Sequence, residues 1–67
     1  MDKEMIGKRL QSLREGRGLS QQQVADEIGI TSMAVSQYET GNRVPRDEIK
    51  IKIARFYETT VDALFYA

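Results

Sequence analysis

Apolar side chains recur along this chain in short stripes at helical spacing. Ile6, Leu10 and Leu13 fall at i, i+4 and i+7, one face of a helix, while Lys8, Arg9, Gln11, Ser12 and Arg14 lie mostly off it. The stripe ends at Gly16-Arg17-Gly18, where either glycine can take the left-handed position that closes a helix. Ser20, followed three residues later by Gln23, spells a capping box, and Leu19 with Val24 is the apolar staple that accompanies one. These signals predict a second helix to about Ile28, with Val24, Ala25 and Ile28 inward. Gly29 then supplies a residue that turns at positive φ. Thr31 or Ser32 caps a third helix to about Glu39, with Val35 and Tyr38 sharing its inner face.

Thr40 to Pro45 reads as a loop by its turn residues. Asp47 and Glu48 suit a first helical turn, where acidic groups complement the helix dipole. Ile49 to Ile53 alternates with period two, a strand signal when taken alone. A helix is preferred, because Ile49, Ile53 and Phe56 continue at i, i+4 and i+7 and no second strand exists for pairing. Thr60 caps a last short helix carrying Val61, Leu64 and Phe65. The expectation is an all-α fold, a compact five-helix bundle forming a single domain over residues 1–67.

Composition bounds this picture. A 67-residue chain buries only about 60% of the surface its unfolded form exposes, so close helix packing or a partner subunit must add stability. The sequence has no cysteine and no histidine, which removes disulfides and Cys/His metal sites. No cofactor, metal or small-molecule ligand is evident, and no acid–base pair or phosphate loop suggests an enzyme. No stretch approaches the ~20 apolar residues of a membrane span, and Met1 to Lys8 lacks the apolar stretch of a signal peptide. A cytoplasmic protein is expected.

The central spacing carries the functional information. Ala25 lies four residues before Gly29, and Val35 six after it. Two helices crossing steeply at a tight turn need a small residue on the first, a residue tolerant of positive φ in the turn, and a β-branched plug on the second. Ala25, Gly29 and Val35 meet these demands in order, so residues 20–39 read as a helix-turn-helix. Such a motif inserts its second helix into the major groove of double-stranded DNA. The formal net charge of zero argues for a modest electrostatic pull. Residues 24–39 hold only Asp26, Glu27 and Glu39 as charges, and Thr31 to Gln37 is free of acidic groups that would repel phosphate.

The chain resembles the lambdoid phage repressor and Cro family, also called the Xre family. The resemblance runs from Ile6 to Phe65 through Ile6-Gly7-Lys8-Arg9-Leu10, Leu13-Arg14, Gly18-Leu19-Ser20-Gln21, Ala25, Ile28-Gly29-Ile30, Val35-Ser36-Gln37-Tyr38-Glu39, Gly41-Asn42-Arg43, Pro45 and Val61-Asp62-Ala63-Leu64-Phe65. It implies a lambda repressor-like five-helix domain that regulates transcription. Arg46 departs from the family's usual Ser or Asp cap, and Lys50 stands where an apolar residue is common, so the bounds of helix four are the least defined.

The resemblance assigns base contacts to Ser32, Met33, Ser36 and Gln37, opposite Val35 and Tyr38 on helix three. Gln37 suits adenine through a bidentate pair to N6 and N7, and Met33 suits thymine methyl groups. Gln21 is the expected phosphate clamp at the start of helix two, with Thr31, Asn42 and Arg43 also assigned to the phosphate backbone. Arg14 and Glu39 match a family salt bridge between helix one and the end of helix three, with a structural role like that of Ala25, Gly29 and Val35. Val61, Phe65 and Tyr66 match a surface that forms a homodimer in this family. A dimeric repressor on a palindromic operator is therefore expected. The competing expectation, supported by the neutral charge, is an interaction module or antitoxin-type partner that keeps the fold with weak or no DNA binding.

Overall fold

A computed structural model describes residues 2–67, and every regular element among them is helical. The order is α1 (Lys3–Gly16), α2 (Gln21–Ile28), α3 (Ser32–Glu39), α4 (Asp47–Phe56) and α5 (Asp62–Tyr66). No helix is long and apolar enough to cross a membrane among the described residues.

Local chemistry sets most boundaries. The Asp2 carboxylate accepts from the Glu4 and Met5 N–H groups and opens α1. Gly18, not Gly16, takes the left-handed position after α1, at φ 67°. The capping box at α2 is complete: Ser20 Oγ accepts from the Gln23 N–H at 3.0 Å, and Gln23 Oε1 accepts from the Ser20 N–H at 2.8 Å. Thr31 caps α3 by accepting from the Ala34 N–H. Arg46 precedes α4 with no side-chain cap, and the helix begins at Asp47 with Asp47 and Glu48 in its first turn.

The core draws on every helix: Ile6 and Leu10 from α1, Val24, Ala25 and Ile28 from α2, Val35 and Tyr38 from α3, Ile49, Ile53 and Ala54 from α4, Leu64 and Phe65 from α5. Tyr57, just past α4, is buried, whereas Phe56 is only half-buried. The inner stripe of α4 thus runs Ile49, Ile53, Tyr57 at i, i+4, i+8, one residue beyond the expected end. Phe56 instead packs edge-on against Tyr57, and Arg17 lies over both rings while donating to the Phe56 carbonyl.

Lys50 is buried in a position suited to an apolar residue. Its stem fills the core and its Nζ donates to the Tyr66 hydroxyl at 2.9 Å, with Asp47 Oδ1 at 3.6 Å and the Tyr66 ring 5.0 Å away. The hydroxyl holds the ammonium protonated above the ordinary lysine range, against the opposing pull of burial. The departure at Lys50 therefore fastens α5 to α4.

Helix α1 crosses the end of α3 at close range. Gly7 is buried there, and a Cβ in its place would overlap the Glu39 carbonyl oxygen and lie 2.9 Å from that of Tyr38. Backbone sits against backbone with no side chain able to yield. Gly7→Ala should destabilise the fold by about 1–3 kcal/mol through overpacking. Gly16→Ala meets nothing within 4 Å and should stabilise by roughly 0.5–1 kcal/mol through helix propensity. Urea midpoints of the two variants check both signs; equal effects would mean that the crossing has slack.

Candidate nucleic-acid interface

The turn between α2 and α3 is closed over one residue. Gly29 adopts φ 86°, and the N–H groups of Gly29 and Ile30 both donate to the Ala25 carbonyl, at 2.8 and 3.0 Å. Ala25 has no exposed surface, so a longer side chain there would wedge α2 from α3. Val35 is buried on the facing side of α3. Ala25 and Val35 are thus both buried, on the two helices that the Gly29 turn joins.

Burial of Val35 and Tyr38 turns the opposite edge of α3 outward. Met33 is 69% exposed, which excludes a core-filling role. Ser32, Ser36 and Gln37 are half-buried along the same helix. At the head of α3, Thr31 remains exposed while serving as the cap. Its hydroxyl proton stays available to an acceptor. Short polar groups, one amide and one flexible apolar side chain therefore share one edge without an acidic group among them.

The far end of α3 is buried, and its last side chain is a carboxylate. Arg14 Nε donates to Glu39 Oε2 at 2.7 Å, and Arg14 Nη2 donates to Oε1 at 3.1 Å. The third donor, Arg14 Nη1, reaches the Leu19 carbonyl at 2.8 Å, ahead of α2. Gln21 Nε2 donates to Glu39 Oε1 at 3.1 Å. Side-chain exposure is 13% for Arg14 and 4% for Glu39. Donating to the Glu39 carboxylate raises the Arg14 pKa above its ordinary value despite desolvation. A carboxylate at a helix C-terminus meets the negative end of the dipole, and the guanidinium offsets that repulsion. The cluster joins α1, α2 and α3 at one point.

Gln21 is thus a brace within the fold. Its amide nitrogen keeps a second proton beyond the one given to Glu39. At the other end of α3 the chain folds back on Gln37. The Gln37 carbonyl accepts from the Asn42 and Arg43 N–H groups at 3.0 and 3.2 Å and from Thr40 Oγ1 at 3.3 Å. Arg43 Nη1 donates to Gln37 Oε1 at 3.1 Å, and its guanidinium lies 5.7 Å from the Tyr38 ring centroid. Asn42 and Arg43 are both exposed. The Gln37–Arg43 contact has no signature in spacing, because it depends on the path of the loop.

Other basic side chains are engaged in the fold. Arg9 donates to the Leu64 and Ala67 carbonyls, and Arg17 to that of Phe56. The expected dimer surface also changes. Phe65 is 2% exposed and belongs to the core, because the wide π-type turn of α5 brings both Leu64 and Phe65 inward. Val61 is half-buried, and Tyr66 remains 57% exposed near Met5 on α1, which is 51% exposed.

Residues 10–64 match the helix-turn-helix family. The chain belongs to that family. Among the family's curated members, it is 39% identical over 59 residues to a cryptic phage CTXphi transcriptional repressor, RstR, of Vibrio cholerae, covering 88% of this chain and 53% of that protein. It is 35% identical over 59 residues to the transcriptional activator BcrR of Enterococcus faecalis, covering 88% of this chain and 29% of that one. This helix-turn-helix chain thus spans about half or less of these two relatives. The restriction-modification controller protein C.AhdI of Aeromonas hydrophila superposes with a TM-score of 0.85 at 31% identity, covering 96% and 93% of the two chains. The P22 c2 repressor protein, solved with a synthetic operator, superposes at 0.89 with 21% identity over 92% and 94%, a likeness of fold. The five-helix, repressor-like architecture is common to all three structures.

Glu39→Ala leaves the Arg14 fork and the Gln21 amide without their acceptor. The expected loss is about 2–4 kcal/mol, below the full range for a buried pair because Arg14 keeps some solvent access. For so small a domain this lowers Tm by roughly 10 °C or more. A thermal shift of under 3 °C would contradict the role given to the cluster.

Proposed function

We propose that this chain is the DNA-binding domain of a transcriptional regulator of repressor type, with α3 in the major groove of double-stranded DNA. The carrying observation is the outward, acid-free edge of α3, held by a buried anchor at its far end. In this reading Ser32, Met33, Ser36 and Gln37 meet base edges. Met33 packs on thymine methyl groups, and Gln37 pairs with adenine. Gln21, Thr31 and Asn42 contact phosphates at the two ends of α3, as does the charge of Arg43. The names of the RstR repressor, the C.AhdI controller and the operator-bound P22 c2 repressor support the same role.

The reading extends to a homodimer on a palindromic site. Two-fold pairing would place two α3 helices about 34–36 Å apart on one face of the duplex. Support comes from Tyr66 and Met5, two of the exposed large hydrophobic side chains, which line one surface cleft together. Phe65 contributes by supporting α5 from beneath.

Arg9, Arg14, Arg17 and Lys50 are engaged within the fold, and Arg43 is the one basic residue between residues 18 and 45, so few cations lie near α3 in the sequence. The dependence of log K on log salt should be shallow, with a slope of about −2 to −5 for a pair of chains, at roughly −0.9 per neutralised phosphate. Selection of bound sites from random duplex DNA, followed by titration at two salt concentrations, tests the whole reading. The expected result is a two-fold symmetric consensus bound with that slope. Gln37→Ala should then lower discrimination at one base pair per half-site by about ten- to a hundredfold. Gln21→Ala should weaken all sequences alike. Absence of any enriched sequence, with no binding at low salt, would remove the proposal.

A further inference from the structure

We infer that Arg43 is a positioning residue for base reading: it acts through Gln37, locking the orientation of the Gln37 amide toward adenine. The inference rests on the proposed DNA contact of Gln37 and deepens it.

A glutamine amide has two faces of opposite chemistry, an acceptor oxygen and a donor nitrogen, and a half-turn of the last torsion exchanges them. A free side chain presents either. Here the choice is made by its neighbour. Guanidinium carries donors only, so the amide atom 3.1 Å from Arg43 Nη1 must be the oxygen. Nε2 therefore points away from Arg43. The oxygen keeps a second lone pair, and the nitrogen keeps both protons. Accepting from adenine N6 and donating to N7 uses that lone pair and one proton. The cation also polarises the amide, which strengthens its N–H as a donor.

The guanidinium is itself held. The Asn42 and Arg43 N–H groups and the Thr40 hydroxyl all converge on the Gln37 carbonyl, so the loop is tied to the residue that its side chain orients. The Tyr38 ring, buried in the core, lies beneath the guanidinium. An exposed arginine would ordinarily be free to reach any phosphate; this one is confined to a single hydrogen-bonded position beside a base-reading group.

The test uses the selected duplex and its single base-pair variants. The position read by Gln37 is the one whose discrimination disappears in Gln37→Ala. In Arg43→Met, which keeps the stem and removes the donors, discrimination for adenine at that position should fall about three- to tenfold, the cost of ordering one free side chain. Ratios at all other positions should hold. Arg43→Lys, which restores a donor and the charge, should recover most of the loss. In the Gln37→Ala background, Arg43→Met should change discrimination no further. The inference is overturned if Arg43→Met leaves discrimination at that position intact while it weakens every duplex equally and lowers the salt slope by about 0.9 per chain, the behaviour of a phosphate contact alone. A guanine selected at that position overturns it as well. In both cases the proposed function stands. Failure of the unmodified chain to bind any duplex selectively removes the function and this inference together.

Discussion

The carboxylate of Glu39 is the junction on which the arrangement of the first three helices depends. It sits at the end of α3, where the helix dipole opposes a negative charge, and it is nearly sealed from water. Such a group is tolerated only with full compensation, which the Arg14 fork and the Gln21 amide provide. Each partner comes from a different helix, so satisfying the charge fixes where those helices lie. An apolar cluster of equal volume could match the stability without imposing the same directions. Gly7 completes the junction by letting the α1 backbone reach the last carbonyls of α3. With that end immobile, the edge carrying Met33 and Gln37 is presented at a defined angle.

The same economy explains a neutral protein with a nucleic-acid reading. Ten basic residues balance ten acidic ones, yet the basic groups are unequally available. Arg9 and Arg17 close carbonyls at the ends of α5 and α4, Arg14 serves the buried carboxylate, and the buried Lys50 donates to the Tyr66 hydroxyl. Long-range attraction is weak in consequence. In the proposed DNA-binding role, recognition would rest on shape and on a few hydrogen-bonded contacts at helix ends, and pairing of two copies would double the contacts without raising the charge of either.

Elements defined by local chemistry were legible in the sequence. The Ser20–Gln23 box, the turn at Gly29 and the cap at Thr31 each involve residues within a few positions of one another, and the structure shows all three. The crossing of α2 and α3 followed from Ala25, Gly29 and Val35 because its geometry demands those sizes at those spacings. The pairing of Arg14 with Glu39 was available only through family resemblance, since nothing in a separation of 25 residues indicates contact. Where local pattern and global packing compete, the pattern misleads. Periodicity favoured Phe56 over Tyr57 as the inner residue of α4, but burial of Lys50 and Ala54 beside Ile49 and Ile53 turns the inner face toward Tyr57. Phe65 was assigned to a dimer surface by resemblance, yet the wide turn of α5 carries it inside. The Gln37–Arg43 contact was illegible for a further reason: it is made by a loop whose path is set by hydrogen bonds to one carbonyl.

In the proposed role, α3 is anchored at its buried end and reads DNA along its exposed edge. Amide chemical shifts of isotope-labelled protein, followed during titration with the selected duplex, test it residue by residue. The account predicts the largest changes at Gln21, at Thr31 to Met33, and at Ser36 and Gln37 through Arg43. Val35 and Glu39 should move little, and Met5 and Arg9 should be unaffected in a chain already paired. Changes concentrated instead on Met5, Arg9 and Tyr66, with the edge of α3 silent, would contradict it.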